Sequence, residues 1–381
     1  MKSWRRPLLG ALLFSLLIAG LTAPKVKALD SPDFKVFYTA GRHAVHSPEL
    51  LYTVSPDRYL YPPEASLFFI PFSLTDRWEL HRWSWHFFLA SVLFLLASGS
   101  WAALGSAALL SRYLAINFGY GQVNLVVLAL MIFVSALLAR KKIAAGIVWA
   151  IACLTKIFPA VQLVEFLLRR RFSELALAAT AVIGLVLITV GFWGWDTALS
   201  LHQQFFSAIG SKGLPLHSHN QSFSALFLRL CTHEVFELHT VAYVSWGVVS
   251  LPAWLAKALA FMLGGALSYF SWRKAALRAL PWDFCAAALF SVLFLSHLVW
   301  KDYFVFLFVP LCQILEVRQR GWIPLVVVFV MLVTLSSRDV VGPYNAAFLD
   351  AACIHLWAAI LVWWGWVALK VAPKEQEKIP A

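Results

Sequence analysis

The chain has 381 residues, of which 61% are hydrophobic and only 13% charged, with a mean hydropathy of +0.75. That is about half the charged share of an ordinary soluble domain, too little to form a polar shell, and a soluble protein is excluded. The 31 basic residues exceed the 19 acidic ones to give a net charge of +12, but they do not form a nucleic-acid face. Seventeen of them stand in clusters between apolar stretches, at Lys2/Arg5/Arg6, Arg140/Lys141/Lys142, Arg169/Arg170/Arg171, Arg273/Lys274/Arg278, Arg318/Arg320 and Lys370/Lys374/Lys378. This is the positive-inside pattern of cytoplasmic loops.

In chain order, a basic start and an apolar run over about 8–24 predict a signal anchor that leaves the N-terminus in the cytoplasm. An external segment of about 25–80 follows. Residues 82–98 return inward, 101–116 lead out to the polar turn NFGYGQ, and 122–139 come back to the ARKK cluster. Residues 143–168 lie between two cytoplasmic clusters and must therefore cross an even number of times. Two helices of roughly 18 Å each fit that length, and neither spans a hydrocarbon core of about 30 Å. The break falls at Thr155-Lys156-Ile157-Phe158-Pro159, where proline ends or kinks a helix. The prediction is a short hairpin with Lys156 at its tip.

Residues 173–193 then run outward, a second external loop occupies 194–242, and 243–269 return. Residues 282–298 exit, 303–317 come back, 321–337 exit, and 346–369 re-enter. The expected fold class is an all-α polytopic integral membrane protein with about 12 transmembrane or partly spanning helices and cytoplasmic N- and C-termini. One membrane-embedded domain covers 1–370 and a short cytoplasmic tail covers 371–381. The five cysteines form no disulfide framework and read as small buried hydrophobes.

Within the first loop, Phe34, Phe37 and Tyr38 share one face of a short helix that should lie flat in the membrane interface. Asp33 stands just before them and suits an N-cap, first-turn charge matching, or chemistry; Asp30 shares that ambiguity. Glu64, at the start of the next apolar run, suits a helix N-terminus. Lys156 is costly at a membrane bend unless it snorkels or meets an anion. Asp302, beside Lys301, is either half of an ion pair at a helix end or a substrate contact. The loop histidines His202, His217, His219, His233 and His239 follow no compact metal-ligand spacing. No nucleotide-phosphate cradle is present, so the substrate should arrive through the membrane or from the external face.

Several short motifs stand in order along most of the chain. They are Asp33-Phe34 through Tyr38, Leu51-Tyr52, and Tyr59-Leu60-Tyr61-Pro62-Pro63. Gly121-Gln122-Val123-Asn124, Ala145-Gly146 through Lys156-Ile157-Phe158-Pro159, and Asn220-Gln221-Ser222 follow, then Ser296 and Trp300 before Tyr303. Together they resemble glycosyltransferase family 87, polyprenyl-phosphate-sugar-dependent mannosyltransferases of the membrane-embedded GT-C superfamily.

The resemblance implies a GT-C-like fold and inverting transfer of a sugar, mannose in the family. The donor would be a polyprenyl-phosphate sugar and the acceptor a lipid or glycan hydroxyl at the external membrane face. It makes Asp33 the catalytic base and places the donor phosphate at Lys156 and Arg229. Candidate substrate contacts are Tyr38, Tyr61, Gln122, Asn124, Asn220, Gln221, Trp300 and Asp302. It implies no cofactor and no metal, the lipid-linked sugar being a substrate. The partners are donor, acceptor and membrane lipids, with no nucleic acid. The expected location is a bacterial inner (plasma) membrane, with the active site on the extracytoplasmic side. The family often has histidine after the conserved tryptophan, where this chain has Lys301-Asp302, a departure that bears on sugar and acceptor. The rival reading is a transporter or flippase of a lipid-linked sugar, in which broken helices also occur.

Overall fold

Burial in this protein runs opposite to that of a soluble one. Asn117, Asn124, Glu165, Asp283 and Asp350 are fully buried, whereas Leu9, Leu95, Ile183, Phe261 and Ile323 are largely exposed. Apolar side chains can face outward at no cost only where the solvent is itself apolar. The computed structural model describes residues 5–53, 59–211, 216–239, 242–278, 280–317 and 322–369. The basic residues Lys2, Arg318, Arg320 and Lys370 and the tail 371–381 lie outside them. The described residues hold 18 α-helices and one small antiparallel β-hairpin, so the fold is all-α in class.

The described chain clusters into two units, Met1–Pro215 with Lys301–Val305, and Leu216–Trp300 with Phe306–Ala381. The first begins with α1 (Arg5–Leu29), α2 (Pro32–His46), α3 (Ala65–Phe69) and α4 (Trp78–Ala97). It continues through α5 (Trp101–Leu109), α6 (Ser111–Tyr120), α7 (Asn124–Ala139) and α8 (Ala144–Thr155). Next come a 3₁₀ turn (Phe158–Gln162), α9 (Leu163–Leu168), α10 (Phe172–Trp193) and α11 (Trp195–Ser211). The second unit holds α12 (Phe223–Cys231), β1 (Phe236–His239), β2 (Ala242–Val244), α13 (Ala253–Arg278) and α14 (Pro281–Leu295). It ends with α15 (Phe308–Glu316), α16 (Trp322–Leu335), α17 (Arg338–Ala351) and α18 (Ile354–Ala368).

Length and composition mark three helices able to cross a membrane: Pro7–Leu29, Phe172–Trp193 and Ala253–Arg278. Counting each bent pair as one span raises this to five, with α6 and α7 meeting at 119° and α16 and α17 at 82°. Shorter apolar helices lie at Ala144–Thr155, Phe158–Leu168, Trp282–Leu295 and Ile354–Ala368, below the roughly 20 residues a full crossing needs. Boundaries differ from the expected spans in several places, and the run 303–317 becomes α-helical only at Phe308, after a 3₁₀ segment over Lys301–Leu307. The run 101–116 is divided at Leu110 between α5 and α6. The run 346–369 is broken at Cys353, whose φ is 56°, a left-handed conformation that no continuous helix accommodates. The run 243–269 begins its helix only at Ala253, where Pro252 sets the first turn and its carbonyl accepts from Leu255 N at 2.9 Å.

Residues 143–168 do turn back on themselves. The Trp149 indole donates to Pro159 O at 2.7 Å and packs on Phe166, with ring centroids 5.0 Å apart. Val134, Leu138, Ala145 and Phe166 form one core cluster, which brings both ends of the hairpin to the Arg140–Lys142 end of α7. Gly146 makes this packing feasible, because a Cβ there would stand 2.0 Å from Glu174 O on α10. Asn124 and Lys156 consequently share the opposite end of α7.

Candidate active site

The first loop enters α2 through two consecutive left-handed residues, Asp30 (φ 55°) and Ser31 (φ 43°), followed by Pro32. Proline suits the first helical position because its missing N–H would have no intrahelical partner there. Asp33 is thus inside the first turn. The N-cap position belongs to Ser31, whose side chain makes no cap bond. The Asp33 carboxylate instead reaches out of α2 and accepts from Gln122 Nε2 at 2.7 Å.

Asp30 has a local task. It accepts from Trp78 Nε1 at 2.7 Å and Arg82 Nη1 at 2.9 Å, and pairs with Lys35 at 3.1 Å, tying the entry of α2 to α4. Burial pushes its carboxyl upward, but the Trp78 and Lys35 hydrogen bonds and the Lys35 and Arg82 charges outweigh that and hold it below the usual value. Its stabilisation is therefore in place above the ordinary aspartate range and is lost as pH falls through the lowered value. Asp30→Ala should lower stability by about 1 kcal/mol, since the side chain is 45% exposed and solvent screens the pairs. Thermal melting against pH checks this: the difference from the parent should vanish in acid.

The buried face of α2 is aromatic. Phe34 stacks on Trp85 (5.3 Å) and Trp78 (5.5 Å), and Phe37 stacks on Phe69 (4.4 Å) and meets Tyr61 edge-on (5.0 Å). Such pairs each add about 0.5–1.5 kcal/mol beyond area burial, so the helix carrying Asp33 is held firmly. Tyr38 belongs to this scaffold, with its hydroxyl donating to Thr75 O at 2.8 Å.

Between α6 and α7 the chain turns at Gly121 (φ 70°), where a Cβ would stand 2.5 Å from Phe34 Cβ. Only glycine satisfies both the left-handed backbone and the close approach. Gln122 N donates to Asn117 O at 2.8 Å and Trp85 Nε1 donates to Gly121 O at 2.9 Å, fixing the turn. Gln122 Oε1 is buried and has no partner among the described residues.

Lys156 is almost fully buried at the hairpin tip, where α8 ends in an extended conformation. Its ammonium donates to Asn124 Oδ1 at 2.6 Å. Three aromatic rings surround it, with centroids at 4.4 Å (Tyr303), 5.1 Å (Phe158) and 5.9 Å (Tyr61). Desolvated cation–π contacts of this kind are worth about 2 kcal/mol. Snorkelling is therefore replaced by a built enclosure. The other end of the Asn124 amide donates to Asp302 Oδ2, and the Asp302 main-chain oxygen accepts from Asn117 Nδ2 at 2.8 Å. Asp33 and Asp302 both act electrostatically on Lys156. Burial first, then the charges of Asp33 and Asp302, hold the Tyr61 phenol above its ordinary value, so it remains a neutral donor.

The structure therefore brings Asp33, Tyr61, Gln122, Asn124, Lys156 and Asp302 into one cluster of the first unit. Tyr303, Phe158 and Asn117 join them; Phe158 and Tyr303 stand within the short motifs and Asn117 opens the polar turn NFGYGQ, but none of the three was singled out by the sequence.

The other sequence-derived candidates belong to the second unit. Arg229 is fully buried and donates to His217 O and Asn220 O, both at 3.0 Å, and to Cys353 Sγ at 2.7 Å. Asn220 Oδ1 accepts from Ser222 N and Val299 N at 3.1 Å, and Gln221 Nε2 donates to Asp350 O at 2.7 Å. These three side chains hold main chain in place. Trp300 faces the His217 ring at 6.2 Å. Among the loop histidines, His202 bonds Glu64 at 2.8 Å, His219 bonds Asp350 at 3.0 Å, and His217 lies 3.6 Å from Glu237. The His239 side chain is outside the described residues. Among the described residues no group of three or more His, Cys, Asp or Glu could hold a metal ion.

A helical membrane protein with carboxylates and an ammonium gathered around one turn has the parts of a group-transfer enzyme. The chain belongs to glycosyltransferase family 87, whose family profile matches residues 59–296, more than half its length. It is a glycosyltransferase, which takes a sugar from a donor to an acceptor. The matched stretch contains Tyr61, Gln122, Asn124 and Lys156, while Asp33 and Asp302 lie on either side of it. No curated protein and no solved structure matches the chain.

Proposed function

We propose that the protein is an inverting glycosyltransferase that moves a sugar, mannose by family resemblance, from a polyprenyl-phosphate donor to a lipid or glycan hydroxyl. The observation that carries this reading is the meeting of Asp33 and Lys156, remote in sequence, around the Gln122–Asn124 turn. Asp33 takes the proton of the acceptor hydroxyl as that oxygen bonds to the anomeric carbon. The bond from that carbon to the phosphate oxygen breaks on the opposite face, and the polyprenyl phosphate leaves with the electron pair. The Lys156 ammonium stabilises its charge. Asp302, through Asn124, keeps the ammonium charged and in place until the donor arrives.

The cluster lies at the end of α7 away from Arg140–Lys142. With those residues cytoplasmic by the positive-inside rule, the reaction occurs at the external face. The proposal extends to about 12 crossing or partly crossing helices, both termini cytoplasmic, and a bacterial inner membrane.

Purified protein in nanodiscs, given a synthetic polyprenyl-phosphate mannose and a membrane-lipid acceptor extract, should release polyprenyl phosphate in step with sugar transfer. Movement of the intact lipid-linked sugar between leaflets with no transfer would overturn the reading in favour of a carrier.

A further inference from the structure

Gln122 and Asn124 are two residues apart, yet their amides point at different halves of the cluster. The 119° bend between α6 and α7 separates them. Gln122 Nε2 donates to the Asp33 carboxylate at 2.7 Å. Asn124 places Oδ1 on the Lys156 ammonium at 2.6 Å and its NH₂ on the Asp302 carboxylate. An ammonium only donates and an ionised carboxylate only accepts, so both partners of Asn124 demand the same amide orientation. Asn117 completes the frame: its carbonyl receives Gln122 N at 2.8 Å and its side chain holds the Asp302 main chain at 2.8 Å.

We propose that this turn is a two-pronged positioning device, in which Gln122 sets the aim and basicity of Asp33 while Asn124 sets the place of Lys156. The inference rests on the reading of Asp33 as base and Lys156 as phosphate ligand, and it assigns to the two amides work other than touching substrate. Gly121 fixes the spacing of the prongs, so base and phosphate ligand are built at a set separation rather than adjusted independently. Gln122 does not titrate; Lys156, Tyr61 and Tyr303 are titratable groups that interact electrostatically with Asp33. All three are kept in the variants below.

The test is the pH dependence of kcat/KM and the donor KM, measured in nanodiscs with synthetic polyprenyl-phosphate mannose. A hydrogen bond donated to a carboxylate favours its charged form. Gln122→Ala should therefore move the acid limb of the profile up by about one pH unit. Gln122→Glu, close in shape and with a like charge beside Asp33, should move it further. Asn124→Ala, and the uncharged polar Asn124→Ser, should raise the donor KM about tenfold or more with the acid limb unmoved. Limbs at one pH in all Gln122 variants, with only a uniform fall in kcat, would reduce Gln122 to scaffolding and overturn the proposal. So would an Asn124 series in which donor KM stays at the parental value. Asp33→Asn measured alongside separates the two levels. Full turnover by that variant removes the base assignment itself, whereas an inactive Asp33→Asn with unmoved Gln122 limbs removes only the positioning role.

Discussion

Asp33→Asn is expected to lower turnover by about 10²–10⁴-fold, the range a positioned general base supplies, with donor KM close to that of the parent. The substitution keeps the size of the side chain and leaves an amide oxygen facing Gln122 Nε2, so the 2.7 Å contact can persist. The aromatic seating of α2 on Trp78, Trp85 and Phe69 does not involve the carboxylate, and the melting temperature should hardly move. A folded variant with parental turnover would leave the protein without its base. The informative pairing is a large kcat loss with unchanged stability, because a capping or structural carboxylate would give the reverse.

Lys156→Met should have the second large effect, and on two measurements at once. Turnover should fall about 10²–10³-fold, as for the loss of one preorganised charge stabiliser. Stability should fall by about 3 kcal/mol or more, because Asp302 is left buried without its cation. The two consequences separate in the double variant Lys156→Met/Asp302→Asn. Removing the orphaned charge should restore most of the melting temperature while transfer stays lost. If the double variant recovered transfer as well, Lys156 would be a structural ion partner and the phosphate assignment would fall.

Which parts of this arrangement could be read from the sequence follows from how far each signal reaches along the chain. The helix carrying Asp33 was legible because Phe34, Phe37 and Tyr38 mark one helical face within a single turn. The hairpin was legible because flanking basic clusters force an even number of crossings and Pro159 marks the break. The divisions at Leu110 and Cys353 were not, although Ser111-Arg112 follows the first and Asp350 and His355 flank the second, since isolated polar residues and hydropathy do not register a change of backbone direction. Gly-Gln-Val-Asn stood out as a polar interruption, yet its role was hidden. Gln122 meets a residue 89 positions away and Asn124 one 178 positions away, and no local pattern encodes such partners. Arg229 looked available from its charge alone; only tertiary context shows its guanidinium turned onto carbonyl oxygens.

The shortness of the hairpin has one more consequence. Legs of about 12 residues rise roughly 18 Å, so in the proposed orientation Lys156 sits some 12 Å beneath the outer edge of a 30 Å hydrocarbon layer. A donor phosphate must then be drawn below the plane of the surrounding headgroups to reach it, and local thinning of the leaflet would ease that descent. On the proposed reading, bilayer thickness should act as a kinetic variable, with long-chain lipids slowing donor entry and leaving the chemistry of the site untouched.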